Sequence, residues 1–293
     1  MPVPSARRAA VLAAAVLAGV LGAAGCTSGE STDTGRSADA SSAAGGTYLA
    51  LGDSVPFGYR AGESDEVYRT PGAFTGFPEL VGRSRGLDVV NTACPGETSA
   101  SFLDATAPSN GCENSPTGPT GFRTDFPLHT AYASPTQPQV DLAVDTLRRT
   151  DDVRLVTLMV GANDAFLCQA ATTDGCVSEV GSVATTVAAD IGTVLQRLRT
   201  DGGYTGQVVV VTYYSLDYAD RATSAATQVL DAAIARAARA GGAAVADGYA
   251  AFRSPAKRAG GDLVAAGLVR PDDVHPTDRG QQLLATAVED ALR

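Results

Sequence analysis

The stretch "TYLALGDSVPFGY" (residues 47–59) sets the fold, because an apolar run in it gives way abruptly to polar residues. Residues 47–51 are short, apolar and suited to a buried strand. Gly52 breaks the pattern, and Asp53 and Ser54 follow it. Two interpretations are open. Either Asp53 and Ser54 cap a helix, as these residue types commonly do, or Ser54 is a nucleophile presented at the carboxyl end of a strand.

Four further apolar runs indicate strands, and helical patterns alternate with them. The other candidate strands are residues 87–91, 154–160, 207–213 and, more weakly, 243–247. Runs that are apolar throughout are typical of parallel strands buried on both faces. Apolar residues at spacings of three and four predict helices over residues 177–200, 222–240 and 278–293. We therefore predict an α/β fold, a three-layer, doubly wound, flavodoxin-like domain with a mainly parallel five-stranded sheet.

The composition indicates one globular domain that does not bind nucleic acid. The chain has 293 residues, of which 44% are hydrophobic and 18% charged, so it can bury a sizeable core. The net charge is −10 and no basic cluster is visible, which argues against nucleic acid as a partner. Neither an internal repeat nor a second domain is apparent. Residues 104–137, rich in Pro, Gly, Ser and Thr, are expected to form a functional loop.

The N-terminus has the pattern of an export signal. Arg7 and Arg8 precede a 17-residue apolar run that ends just before Cys26, typical of a signal peptide over residues 1–25. The alternative is a membrane-spanning helix, for which the run is short. "LGAAGC" resembles a bacterial lipobox, with Ala23 where Leu is usual. We expect a lipidated Cys26, a flexible linker over residues 27–46, and a folded domain over residues 47–293 that is secreted or anchored at the cell surface.

Four cysteines remain after Cys26, an even number in a chain that is expected to be exported. They are Cys94, Cys112, Cys168 and Cys176. Disulfides are typical of that setting, and three connectivities are possible. The export context and the local spacing favour Cys94–Cys112 and Cys168–Cys176. Zinc is the rival interpretation, but the chain has no CxxC pair and only two histidines, so we expect no metal site.

Polar residues follow several of the expected strands, where an open α/β sheet binds its ligands. Gly96 follows the second strand, Asn163 the third, and Asp272 and His275 precede the last helix. Each has a structural interpretation as well: Gly96 as a tight turn, Asn163 as a helix cap, and His275 as a surface histidine. Together with Ser54, however, they are the residue types that nucleophilic acyl transfer needs.

Four motifs resemble the sequence blocks of the SGNH, or GDSL, hydrolase family, and they occur in family order across residues 52–280. They are "GDS" with Ser54, "NTACPGETS" with Gly96, "VGAND" with Asn163, and "DDVHPTDRG" with Asp272 and His275. The usual Leu after "GDS" is Val55 here. The cysteine spacing is also similar to that of secreted actinobacterial esterases and lipases in this family.

The resemblance implies a role for each of these residues. Ser54 would be the nucleophile, His275 the general base, and Asp272 the acid that fixes the imidazole tautomer. The oxyanion would be held by the backbone N–H groups of Ser54 and Gly96 and by the side-chain amide of Asn163. No cofactor is implied.

The acid that supports His275 is not uniquely assigned by the residues alone. Asp273 is a rival to Asp272, because in an extended stretch its side chain points the same way as that of His275. A backbone carbonyl that holds the ring is a third possibility. Asp53 is expected to brace the turn that aims Ser54.

The resulting expectation is a monomeric serine hydrolase that cleaves carboxylic esters, touching a membrane only through its N-terminal lipid. One alternative is an acyl-carbohydrate esterase or deacetylase of the same family at the cell wall, and another is a non-catalytic surface lipoprotein. A group of aromatic residues either lines an acyl pocket or packs the long loop. It comprises Phe57, Tyr59, Phe74, Phe77, Phe122, Phe126 and Tyr132.

Overall fold

Five parallel strands form one sheet in the order β2–β1–β3–β4–β5. The strands are β1 (Thr47–Gly52), β2 (Asp88–Asn91), β3 (Val153–Met159), β4 (Gln207–Val211) and β5 (Ala244–Ala246). This is the flavodoxin-like strand order, in which the chain direction across the sheet reverses between β1 and β3. The predicted strands and the predicted doubly wound α/β class are confirmed.

The computed structural model describes residues 45–118 and 120–293. The predicted signal peptide (residues 1–25), the predicted lipidation site Cys26 and nearly all of the predicted linker lie outside the described residues, so these stay predictions. Within the described part of the chain, no helix is long and apolar enough to cross a bilayer.

Helices connect the strands and form the outer layers. They are α1 (Ser54–Phe57), α2 (Asp65–Tyr68), α3 (Phe77–Arg85), α4 (Ser99–Leu103), α5 (Phe122–Asp125), α6 (Gln139–Arg149), α7 (Ala162–Ala171), α8 (Val180–Thr200), α9 (Arg221–Ala240), α10 (Gly248–Arg258) and α11 (Asp278–Ala291). Helices α3, α10 and α11 pack in one group, and α4, α6, α8 and α9 in another. The long predicted segment 177–200 forms a helix only from Val180 onward.

The core lies on both faces of the sheet, as the unbroken apolar runs predict. Leu49 and Leu51 of β1 and Leu155 and Leu158 of β3 are at most 1% exposed. Consecutive strand residues point to opposite faces, so burial of a whole run requires helices on both sides. The carboxyl ends of the central strands are therefore held rigidly, and this fixes the positions of the residues that follow them.

Two disulfides close loops at that edge of the sheet. Cys94–Cys112 and Cys168–Cys176 are bonded, with Cα–Cα distances of 5.6 and 5.3 Å, which confirms the predicted pairing. The first bond ties the loop after β2 to residues 104–137, whose only described helix is α5. The second joins α7 to the segment before α8.

Removal of the Cys94–Cys112 bond is expected to cost more stability than removal of Cys168–Cys176. It closes the longer loop, with a sequence separation of 18 against 8, and both of its sulfurs are buried. The chain-entropy model gives about 3 kcal/mol for such a loop, or a fall in Tm of roughly 6–12 °C for a domain of this size. Calorimetry of the Cys94→Ala/Cys112→Ala and Cys168→Ala/Cys176→Ala variants tests this. An equal or larger fall for the second pair would contradict it.

Candidate active site

Ser54 occupies the sharp junction between β1 and α1. Gly52 has φ +141°, and a Cβ there would lie 2.1 Å from the carbonyl oxygen of Met159 on β3, so only glycine fits. Asp53 then caps α1, and one of its carboxylate oxygens accepts the backbone N–H of Val55 at 2.9 Å. Asp53 is therefore a helix cap, and Ser54 lies just beyond the carboxyl end of a strand, as a nucleophile there would.

His275 lies against Ser54, so the last of the four sequence motifs meets the first. Its Nε2 is 2.8 Å from the Ser54 Oγ, and its Nδ1 hydrogen-bonds to a carboxylate oxygen of Asp273. The segment that carries it directly precedes α11, which packs on α3. With Nδ1 protonated and bonded to a carboxylate, Nε2 is free to accept the serine proton.

The predicted contact between Asp272 and His275 is wrong: Asp273 holds the ring. A turn closed by a hydrogen bond from Asp273 N to Arg270 O places Asp272 at φ +56°, with its side chain exposed. Residues 273–275 continue past the turn with the side chains of Asp273 and His275 on the same side, the geometry that made Asp273 a rival.

Asp273 is anchored on all sides and stays ionised. One of its oxygens also accepts the backbone N–H of His275, and the other accepts Ala61 N at 3.1 Å. Burial by itself would raise the pKa of Asp273, but the hydrogen bond and charge of His275 and these two N–H groups outweigh it and lower the pKa to about 2. A permanent carboxylate at this position fixes the tautomer of His275. The ring of Tyr59 packs edge-on against His275, with centroids 4.9 Å apart.

Asp53, which precedes Ser54, is fully buried. The hydroxyl of Tyr213 donates to the carboxylate oxygen that does not cap α1. Burial raises the pKa of Asp53 to about 6, although the hydrogen bonds from Tyr213 and Val55 oppose the rise. It touches neither His275 nor Ser54 Oγ in any hydrogen bond of the described residues, which fits the bracing role expected for it.

The loop after β2 brings Gly96 to the same cleft. Gly96 has φ +87°, and a Cβ there would lie 2.6 Å from the carbonyl oxygen of Asn110 and from Gly111 N. Gly96 O accepts Asn110 N at 2.8 Å, which holds the two loops together. The tight-turn interpretation of Gly96 is therefore correct, and the turn also places its backbone at the cavity wall.

Asn163, the second residue of α7, presents its amide in a defined orientation. Its Nδ2 donates to Glu97 O at 2.9 Å, and its Oδ1 accepts from Asn110 Nδ2 at 2.9 Å. These two contacts assign the amide oxygen and nitrogen. An amide nitrogen carries two protons, and within the described part of the chain only one of them has an acceptor. The second is available to a ligand in the cavity.

Asn110 was not found by the sequence analysis. It lies in the irregular loop 104–137, far from any strand end, and no spacing rule connects it with Asn163. His129, the other histidine, does not line the cavity. Its Nε2 bonds to Phe57 O at 3.0 Å, and its ring packs on Phe57.

One cavity of about 450 Å³ joins Ser54, Gly96, Asn163 and His275. From Asn163 it extends into an apolar arm between α7, α8 and α9, bounded by the Cys168–Cys176 loop. The arm is lined by Phe166, Val177, Val180, Val183, Ala226 and Leu230.

The aromatic residues of uncertain role serve both functions considered for them. Tyr59 and Phe122 line the cavity near His275 and also pack on the cluster under the loop. That cluster includes Phe57, Phe74, Phe126 and Tyr132, whereas Phe77 belongs to the main core.

Two groups of side chains in the described residues have the spacing of metal ligands. They are Cys94, Glu97 and Cys112, and Cys168, Cys176 and Glu179. In each group both cysteines are joined in a disulfide, which leaves no thiolate to bind a metal.

Known proteins share this fold. The model of the GDSL-like lipase/acylhydrolase family matches residues 50–283. Phospholipase A1 from Streptomyces albidoflavus NA297 superposes with a TM-score of 0.56 and 19% identity, over 84% of this chain and 99% of that one. An acetylxylan esterase from Geobacillus stearothermophilus superposes with a TM-score of 0.53 and 17% identity, over 85% and 94%. No curated protein matches the sequence. The chain therefore belongs to the GDSL-like lipase/acylhydrolase family and is a carboxylic ester hydrolase.

Proposed function

We propose that the chain hydrolyses carboxylic esters through an acyl-enzyme on Ser54. The observation that carries this proposal is the 2.8 Å hydrogen bond between Ser54 Oγ and His275 Nε2, with Asp273 on the far side of the ring. A nucleophile, a base and a group that orients the base are the minimum for this chemistry.

The arrangement of these residues supports a role for each in the reaction. His275 Nε2 takes the Oγ proton as Ser54 attacks the ester carbonyl, and the Asp273 carboxylate stabilises the imidazolium that forms. The negative charge that develops on the carbonyl oxygen is bound by the N–H groups of Ser54 and Gly96 and by Asn163 Nδ2. His275 then protonates the departing alcohol. In the second half of the reaction, His275 takes a proton from water as the water attacks the acyl-enzyme. The carboxylic acid then leaves and Ser54 is free again.

The apolar arm suits an acyl chain longer than acetyl. Because His275 protonates the leaving alcohol, the alcohol lies on the His275 side, and the acyl substituent extends away from it past Asn163. The apolar residues of α7, α8 and α9 that line the same cavity suit such a substituent. Val177, which lines the arm, is 70% exposed, an unusually high exposure for a large apolar side chain. These features favour an esterase or lipase over a deacetylase.

We also propose that the enzyme acts outside the cell. The two disulfides suit an oxidising compartment, and the sequence pattern before Cys26 is that of an exported chain. Recovery of the protein solely from the cytoplasm of its native cell would contradict this.

Ser54→Ala is expected to lower kcat/KM on a p-nitrophenyl ester by roughly 10⁴-fold or more, because the nucleophile is lost and only binding and oxyanion effects remain. The exposed Ser254 on α10 gives a matched control, and Ser254→Ala should be unaffected. A fluorophosphonate probe should label Ser54 in the wild type alone, as read by peptide mass. Near-normal turnover by purified Ser54→Ala would refute the assignment.

Two adjacent acids provide an internal comparison for the group that holds His275. Asp273→Asn is expected to lower kcat by up to about 10⁴-fold, because a neutral amide favours the wrong imidazole tautomer. Asp272→Asn, one residue away and exposed, should change kcat by less than about threefold. Steady-state kinetics of both variants on one ester measures the difference. A larger loss for Asp272→Asn would reverse the assignment.

Chain-length preference is expected to follow the apolar arm. Each methylene buried in it contributes up to about 0.8 kcal/mol, so kcat/KM should rise from p-nitrophenyl acetate to the decanoate. Ala226→Phe, which fills the arm, should lower activity on the decanoate far more than on the acetate. Ala225→Phe, on the exposed side of α9, is the matched control. A preference for acetate, or equal losses on both esters in Ala226→Phe, would point to a deacetylase.

A further inference from the structure

One hydrogen bond is missing from the pairing between β1 and the chain that follows β2, although Cys94 N still donates to Gly52 O at 3.0 Å. Thr92 N donates to Ala50 O at 2.9 Å, as in a regular parallel pair. In such a pair Gly52 N would donate to Thr92 O next. Instead, Gly52 N donates to the side chain of Gln139 at 2.7 Å, and Thr92 O accepts the hydroxyl of Tyr132 at 2.8 Å. A glutamine side chain thus replaces a rung of the sheet.

Gln139 is fully buried, and its amide binds on both of its sides. Its Oε1 accepts Gly52 N at 2.7 Å, whereas the nearby Thr92 hydroxyl donates its one proton to Ala50 O at 3.1 Å. Its Nε2 donates to Gly52 O at 3.0 Å and to a carboxyl oxygen of Glu97 at 2.8 Å. Both amide protons and one acceptor lone pair are therefore engaged. An amide turned over would place its NH₂ group against Gly52 N and its oxygen against Glu97, so Gln139 has one favourable orientation.

The two residues that Gln139 joins each adjoin one half of the site. Gly52 precedes Asp53 and Ser54 on the nucleophile side. Glu97 follows Gly96, and its carbonyl oxygen accepts Asn163 Nδ2 at 2.9 Å. Two links therefore join the nucleophile side to the oxyanion donors. One is the backbone hydrogen bond from Cys94 N to Gly52 O at 3.0 Å, and the other is the amide of Gln139 at the start of α6.

We propose that Gln139 is a positioning residue that sets the separation between Ser54 and the oxyanion donors Gly96 and Asn163. This inference rests on the proposed function. Gln139 does not line the cavity, so it acts only through the residues it joins. A displacement of about 1 Å between reacting groups costs on the order of 10²-fold in rate.

The test compares Gln139→Met, which keeps the volume and removes the polar contacts, with Tyr48→Phe. Tyr48 is also fully buried, and its hydroxyl bonds to Thr157 Oγ1 at 2.7 Å within the sheet. Gln139→Met should lower kcat on a short-chain ester by about 10²-fold, with KM within about threefold of wild type. Tyr48→Phe should lose stability but keep its kcat.

A double-mutant cycle distinguishes positioning from general damage. If Gln139 acts through the oxyanion donors, its loss matters less once Asn163→Ala has removed the side-chain donor, because only the Gly96 N–H is then left to be displaced. The two losses should therefore fall short of multiplying. Losses that multiply would overturn the inference. If Gln139→Met does not fold, Gln139→Glu keeps the acceptor for Gly52 N and enters the same cycle.

Failure of the inference and failure of the proposed function give different results. Wild type and Ser54→Ala are assayed alongside. An inactive wild type, or a Ser54→Ala variant as active as wild type, overturns the proposed function and the inference with it. An active wild type, an inactive Ser54→Ala and a normal kcat in Gln139→Met overturn the inference alone.

Discussion

The close approach of Gly52 to β3 is the constraint on which the rest of the site depends. Its backbone lies so near Met159 O that no side chain fits, and its φ of +141° turns the chain out of the sheet. Asp53 N still donates to Met159 O at 3.1 Å, so the turn begins while the strand is paired. Ser54 therefore begins α1 at a point that the central strand fixes, and its hydroxyl lies just beyond the edge of the sheet.

Burial of polar groups around this turn is costly, and hydrogen bonds offset the cost. Asp53 is held by Tyr213 and Val55 N, Gln139 by Gly52 and Glu97, and Asn163 by Glu97 O and Asn110. An unpaired polar group at any of these places would cost about 1–3 kcal/mol. The same bonds leave each group one orientation, so under the proposed function the oxyanion donors would be oriented before a substrate arrives. Preorganisation of this kind is the main source of oxyanion stabilisation in acyl transfer.

The sequence was sufficient for the features that local patterns encode. Unbroken apolar runs located the strands, and the rule that ligands bind at carboxyl strand ends brought Ser54, Gly96, Asn163 and His275 together. The choice between Asp272 and Asp273 depended on one turn that gives Asp272 a positive φ, and the resemblance to a family selected the wrong neighbour. Asn110 and Gln139 contact the site from segments that are distant in sequence. Their side-chain contacts leave no periodic pattern in the sequence by which they could be predicted.

The central claim is that Ser54 and the oxyanion donors already converge in the free protein. A crystal structure of the enzyme after reaction with diethyl p-nitrophenyl phosphate tests it most directly, because the phosphoryl oxygen marks the oxyanion position. The account predicts phosphorus bonded to Ser54 Oγ and a phosphoryl oxygen that accepts from Ser54 N, Gly96 N and Asn163 Nδ2. Asn163 should keep its bond to Glu97 O. An adduct on another residue, or a phosphoryl oxygen turned away from Gly96 and Asn163, would contradict the account.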